Sequence, residues 1–188
     1  NRVRVIVPYL GGAYGGKLYD KLEPITTLLA KVTMRPVRWI LNREEVFVTT
    51  SKHGAVCRMQ TGVSAEGRIS VRKVAVYYDT GAYAEIGPRI AYKTGFTAAG
   101  PYRIPNVWID SYCVYTHKTA AGPFRGFGVP QVAFAYETHM EKVARHLGHD
   151  PVELRLEYAY EEGDFFASGT KLHSLGHKDS LIKCAEAI

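Results

Sequence analysis

The order of hydrophobic periods along the 188 residues predicts an α+β fold, with mostly antiparallel sheet and helices packed against it. Three observations carry this expectation. Two long β-rich runs, Ala55 to Ser64 and Arg68 to Tyr83, are separated only by Ala65-Glu66-Gly67, which is a hairpin signal. A third β-rich run, Val107 to Thr116, follows a Gly/Ala/Thr-rich stretch that reaches Pro101. Val132, Tyr136, Met140, Val143 and Leu147 then recur at helical spacing before Gly148, the residue type that most often ends a helix.

The remaining elements follow in chain order. The apolar run Val3-Arg4-Val5-Ile6-Val7 reads as a strand ending at Pro8. Leu18, Leu22, Ile25, Leu29 and Val32 share a helix face, and Pro24 leaves two starts open. Either the helix begins near Glu23 with proline in its first turn, or it begins at Gly16 and bends. Val37-Arg38-Trp39-Ile40-Leu41 reads as a short strand, and Asn42 can cap a short helix through Glu44, Glu45 and Val46. Asp150-Pro151-Val152-Glu153 has the form of a capping box with proline at the first helical position. There is no internal repeat and no low-complexity segment.

A chain of this length can bury one sizeable core. Its formal charge of +6 is modest, and the 24 basic residues are scattered instead of forming the dense patch of a nucleic-acid-binding face. No window approaches the roughly 20 apolar residues of a membrane span, and no secretory leader is evident. Cys57, Cys113 and Cys184 lie far apart in an odd count, which indicates neither a disulfide framework nor a zinc site and makes a reducing, cytoplasmic setting the expectation. The chain opens inside a strand-like run at Asn1 and closes inside a helix-like run at Ile188, so residues 1–188 are expected to be part of a larger domain in a longer polypeptide.

Two glycine-rich loops are the most specific feature. Gly11-Gly12-Ala13-Tyr14-Gly15-Gly16-Lys17 follows the first apolar run, and Gly122-Pro123-Phe124-Arg125-Gly126-Phe127-Gly128-Val129-Pro130-Gln131 precedes the long helix. Glycine at such density suits positions where φ is positive or where a ligand approaches the backbone with no Cβ in the way. The first loop admits three readings: a tight turn, a phosphate-cradling P-loop, or a loop donating backbone hydrogen bonds to a large anionic cofactor. Gly11, Gly16 and Lys17 match G-x-x-x-x-G-K, but Leu18 stands where the P-loop needs a magnesium-binding hydroxyl.

Both loops together resemble those of the molybdenum-binding subunit of the xanthine dehydrogenase, aldehyde oxidase and carbon monoxide dehydrogenase family, which carries G-G-x-[FY]-G-G-K and x-F-R-G-[FY]-G-x-P-Q. The landmarks between and after them are similar as well: Arg35-Pro36-Val37, Asn42-Arg43-Glu44-Glu45, Tyr102-Arg103-Ile104-Pro105-Asn106, Asp150 to Arg155 and Gly163-Asp164. The resemblance implies a domain that binds molybdopterin with molybdenum, expected in the cytosine dinucleotide form. The pterin's own sulfurs hold the metal in that family, so no protein metal ligand is expected. Gly11, Gly12, Ala13, Tyr14, Gly15 and Gly16 would face the cofactor with backbone donors, and Phe124, Arg125 and Gly126 would add a guanidinium that can bond two acceptors at once.

The implied reaction is oxidative hydroxylation of an aldehyde or an aromatic or N-heterocyclic substrate, with water as oxygen source. Electrons would leave through iron–sulfur clusters, usually to FAD, on other subunits or domains. The general base is expected beyond Ile188, so the implied partners are the remainder of the same subunit and the iron–sulfur and FAD subunits, and these residues alone are expected to be inactive. Phe127 is the implied wall against the substrate ring. Purine-oxidising members carry glutamate where this chain has Leu18 and arginine where it has Lys93, which argues against a purine. A second class stays open: a binding or assembly module whose loops shape a subunit interface without catalysis. The seven histidines, and the pairs Glu44-Glu45 and Glu161-Glu162, read as surface or locally satisfied groups.

Overall fold

The computed structural model describes residues 3–188; Asn1 and Arg2, with the expectation that Asn1 opens in a strand, lie outside the described residues. A three-stranded sheet forms the centre, in the order β1 (Gly54–Val63), β2 (Ile69–Gly81), β3 (Asn106–Tyr115). β1 and β2 are the expected antiparallel hairpin, in one register from Gly54↔Asp79 to Gly62↔Val71 with an irregularity before Val63↔Ile69, and the turn is closed where Gly67 N–H donates to the Ser64 carbonyl at 3.0 Å. β3 pairs with β2 in parallel, Val71 opposite Asn106 and Val76 opposite Ser111. The α+β class holds, and one of the two pairings differs from the expected antiparallel one.

The reason lies in the connection. Parallel neighbours cannot be joined by a tight turn and need a crossover, and α3 (Gly87–Thr97) supplies it from inside the stretch that read as a Gly/Ala/Thr-rich connector. Its composition follows from close packing: a side chain at Gly87 would fall 2.8 Å from Cys113 Sγ on β3. α4 (Val129–Leu147) is the long amphipathic helix, closed by Gly148 at φ 70°. In α5 (Pro151–Tyr158) the Asp150 carboxylate accepts from the Val152 and Glu153 amides at 2.8 and 3.0 Å, as a helix N-cap should.

α3 and α4 cover one face of the sheet. Val74, Val76 and Tyr78 of β2 pack with Ile86, Ile90, Ala91 and Val132 in one buried cluster. A second cluster joins Ile69, Tyr102 and Ile104 to Met140, Val143 and Ala144 of α4 and Leu154 and Tyr158 of α5. Arg72 is buried beside it, with Nη1 donating to the Ala99 carbonyl at 2.8 Å and Nε to Thr61 Oγ1 at 3.2 Å; burial lowers its pKa to about 10. The guanidinium also lies 5.8 Å from the centre of the Tyr102 ring.

The first fifty residues differ from expectation in two places. Val3 to Val7 and Val37 to Leu41 form no strand, because neither has a ladder partner among the described residues. α1 (Glu23–Thr33) takes the later of the two starts, with Pro24 in its first turn and the Glu23 carboxylate accepting from the amides of Lys21 and Leu22. α2 (Arg43–Thr49) is held by the expected cap: Asn42 Oδ1 accepts from Glu45 N–H at 2.9 Å, and Glu45 Oε2 from Asn42 N–H at 2.7 Å. α6 (His177–Glu186) is the helix read at the end of the chain. Among the described residues no helix is long and apolar enough to cross a membrane.

Candidate functional site

The two glycine loops, more than a hundred residues apart in sequence, meet in space. Gly15 has φ 101°, and a Cβ there would lie 2.5 Å from the Pro123 carbonyl oxygen and 3.0 Å from the Phe124 nitrogen. Only a glycine lets the two backbones approach this closely. Across the same contact the Arg125 guanidinium lies 5.8 Å from the centre of the Tyr14 ring. Each loop also holds one aromatic residue in the left-handed region, Tyr14 at φ 51° and Phe127 at φ 51°. Strain of this kind persists where surrounding structure enforces it, and it clusters at functional sites.

Within the first loop, Gly16 N–H donates to the Ala13 carbonyl at 2.8 Å and Leu18 N–H to the Gly15 carbonyl at 3.2 Å. No acceptor among the described residues takes the amides of Gly12, Ala13, Tyr14 or Gly15. Gly11 to Tyr14 are exposed. Lys17 turns its ammonium back onto the Gly12 carbonyl, 2.7 Å away, and Leu18 is exposed at the end of the turn. A lysine spent on its own loop does not serve as the phosphate hook of a P-loop.

The second loop begins buried, at Gly122 and Pro123, and surfaces at Phe124, Arg125 and Gly126. Phe127 N–H closes a turn onto the Phe124 carbonyl at 2.8 Å, and Val129 N–H another onto Gly126 at 3.1 Å. Phe127 packs half-buried against the β2, α3 and α4 cluster, and Lys93 of α3 reaches to 5.5 Å from its ring centre. Lys93 and Phe127, both singled out from sequence, are therefore neighbours. Lys52 stands 5.2 Å from the Phe124 ring centre, so cations flank all three aromatics of the two loops.

Several residues of the site carried little or no signal in the sequence. Tyr78 donates its hydroxyl to the Gly128 carbonyl at 2.9 Å, and burial pushes that phenol up to about 12. Gln131 Nε2 donates to the His53 carbonyl at 2.8 Å. His53 itself is buried, and an isolated histidine between Lys52 and Gly54 gives no pattern from which to find it. Several other sequence candidates are locally paired. His139 pairs with Thr61 Oγ1 at 2.9 Å, and its pKa is lowered by burial and by the nearby Arg72 and Lys142. Glu161 meets Arg103 and Lys178 in exposed ion pairs worth little, and Glu162 Oε1 lies 3.3 Å from His173 Nδ1. Among the described residues no three His, Cys, Asp or Glu side chains gather as a metal site.

Taken together, four free loop amides and an exposed guanidinium on adjoining backbones suit an anionic group rich in oxygen acceptors, with glycines leaving room for it. Comparison with known proteins agrees. Residues 1–159 match the molybdopterin cofactor-binding domain family. The chain is 37% identical, over 99% of its length, to the nicotinate dehydrogenase large molybdopterin subunit of Eubacterium barkeri, and covers 44% of that protein. It is also 37% identical, over 96% of its length, to the xanthine dehydrogenase molybdenum-binding subunit of Escherichia coli, of which it covers 24%. Among solved structures, the aldehyde oxidoreductase of Desulfovibrio gigas superposes with a TM-score of 0.86 at 27% identity, over 95% of this chain and 20% of that one. The chain thus spans less than half the length of these relatives. With both loops in contact and the match running through each of them, the chain belongs to the molybdopterin cofactor-binding domain family.

Proposed function

We propose that these residues are part of a molybdopterin-binding domain within a larger molybdenum hydroxylase subunit, and that they hold the cofactor without supplying the general base. The observation that carries the reading is the Gly15 to Pro123 contact, which sets the free amides of one loop beside the guanidinium of the other. When bound, the molybdenum centre supplies the two-electron redox chemistry that lets water oxygen enter an oxidised substrate carbon. The chain's own part is binding and orientation. Gly12, Ala13, Tyr14 and Gly15 donate from the backbone, and Gly11 and Gly16 bracket them. Arg125, carried between Phe124 and Gly126, donates from its side chain. These donors are fixed in advance by the turns at Gly16 and Phe127, so little reorganisation accompanies binding.

The substrate in this reading is an aldehyde or an aromatic or N-heterocyclic compound other than a purine. Phe127 offers a ring face, Lys93 a single point charge in place of a planar fork, and Leu18 no hydrogen bond. A relative named for nicotinate and a neighbour named for aldehydes support the heterocycle and aldehyde classes, a relative named for xanthine is equally similar, and the exclusion of purines rests on Leu18 and Lys93 alone. Iron–sulfur and FAD partners, the cytosine dinucleotide form of the cofactor and a cytoplasmic setting belong to the same proposal.

The test is the metal and nucleotide content of the purified full-length subunit. About one molybdenum and one cytidine monophosphate released per chain are expected. Folded protein lacking both would leave a binding or assembly module as the reading.

A further inference from the structure

α3 breaks two local rules at once. Its only charged residues, Arg89 and Lys93, are both cations, and they stand one turn apart on the same face, where like charges repel. Arg89 is also the third residue of the helix, at the end whose backbone already carries a positive field, and no acidic residue of the first turn offsets it. Both side chains are exposed, and among the described residues neither makes an ion pair. Glu85, one turn before Arg89, lies against Gly122 instead: its Oε2 would be 3.0 Å from a Cβ there. Departures from local preference of this kind concentrate at functional sites.

The pair rims the candidate site. α3 packs directly on the second glycine loop, where a Cβ at Gly128 would meet Ile90 and Thr94 at 2.7 and 2.8 Å. Arg89 and Lys93, each one residue earlier, border that contact, and Lys93 Nζ stands 5.5 Å from the Phe127 ring centre. Lys52 and Arg125, beside Phe124 and Tyr14, are likewise in no ion pair among the described residues.

We propose that Arg89 and Lys93 together select a substrate that carries a carboxylate on its ring. The ring lies beside Phe127, the carboxylate meets the Lys93 ammonium, and Arg89 behind it supplies a second charge with a planar fork of donors. Arg89 is the specificity-determining residue of the pair that no motif displays. This selection deepens the reading of Phe127 as the substrate wall and rests on it.

The experiment uses the full-length subunit, with its molybdenum content measured first. Binding of pyridine-3-carboxylate and of benzoate is compared with that of the corresponding carboxamides, which keep the shape without the charge, by titration calorimetry in the absence of an electron acceptor. Wild type, Arg89→Met, Lys93→Met, Arg89→Lys and the double methionine variant are compared. Wild type is expected to prefer each carboxylate by about tenfold or more, each methionine variant to lose much of that preference, the double variant to lose it all, and Arg89→Lys to keep most of it. High salt should shrink the wild-type preference. Equal binding of carboxylate and carboxamide by wild type would overturn the proposal, as would a preference that survives in the double variant. A fall of molybdenum content in Arg89→Met would assign Arg89 to the cofactor and overturn it too. Should a methionine variant fail to fold, Arg89→Gln and Lys93→Gln carry the same comparison. A carboxylate preference in protein without molybdenum would uphold the anion site and remove the hydroxylase reading, whereas full molybdenum with no such preference would do the reverse.

Discussion

Gly15 and Pro123 touch backbone to backbone, so each glycine loop is part of the wall of the other. Gly15→Ala puts a methyl group against a carbonyl oxygen that belongs to a buried proline and cannot move aside cheaply, at a backbone angle that alanine disfavours. The expected cost is about 2 kcal/mol or more. A lowered thermal transition together with a fall in bound molybdenum in the full-length subunit would show it. An unchanged transition would mean that the loops separate freely.

Arg125→Ala is expected to reduce molybdenum content to a small fraction of wild type, while Arg125→Lys keeps the charge but loses the paired donors and is expected to fall between the two. Metal analysis beside sedimentation reads the result. Normal metal with altered assembly would assign Arg125 to a subunit interface instead.

The full-length enzyme is expected to oxidise xanthine poorly, and Leu18→Glu is expected to raise purine turnover. The exposed position accepts a carboxylate without repacking the core, and a new hydrogen-bond partner there can hold a purine edge. Steady-state assays with xanthine on both forms decide it. Strong xanthine oxidation by the unaltered enzyme would overturn the substrate proposal.

Asp79 closes the end of β2, and its carboxylate is held at a pKa of about 2. The largest cause is the Lys118 ammonium 2.7 Å away, followed by the Thr116 hydroxyl and aided by the Gly81 amide. The folded value lies below the ordinary 3.8, so this carboxylate stabilises the fold above about pH 4, and the contribution is lost as pH falls toward 2. Asp79→Asn should therefore lower stability at neutral pH and flatten the acid limb of a stability profile. A limb of unchanged steepness would show that the Lys118 pairing contributes nothing.

How much of this was readable in the sequence depended on whether a residue's reason was local. α4 and α5 were legible because their apolar spacing, Gly148 and Asp150 act within a turn or two of themselves. The hairpin was legible for the same cause. α3 was not, because Gly87 packs against Thr80 of β2 and also Cys113 of β3, and the second contact lies in no window of sequence. Missing that crossover also hid the parallel pairing it creates. Val3 to Val7 and Val37 to Leu41 have the composition of strands, but strand formation is decided by a partner. At the site, the loops were legible as glycine-rich runs, and Phe127 and Lys93 were singled out by the resemblance to the family's motifs. Tyr78 holds the Gly128 carbonyl from beneath the loop, and it stands in no pattern of its own.

The parallel pairing of β2 with β3 also fixes an order of events in folding. β1 and β2 can zip from Gly67 outward with almost no chain to close, whereas Val71 cannot meet Asn106 until the chain between them has been gathered up by α3. The nascent hairpin must then wait with the β2 flank toward β3 unpaired, and it is vulnerable to other strands until the crossover arrives. Newly made protein should be most prone to aggregate during that interval, and mutations in α3 should slow acquisition of the native sheet more than their effect on final stability suggests.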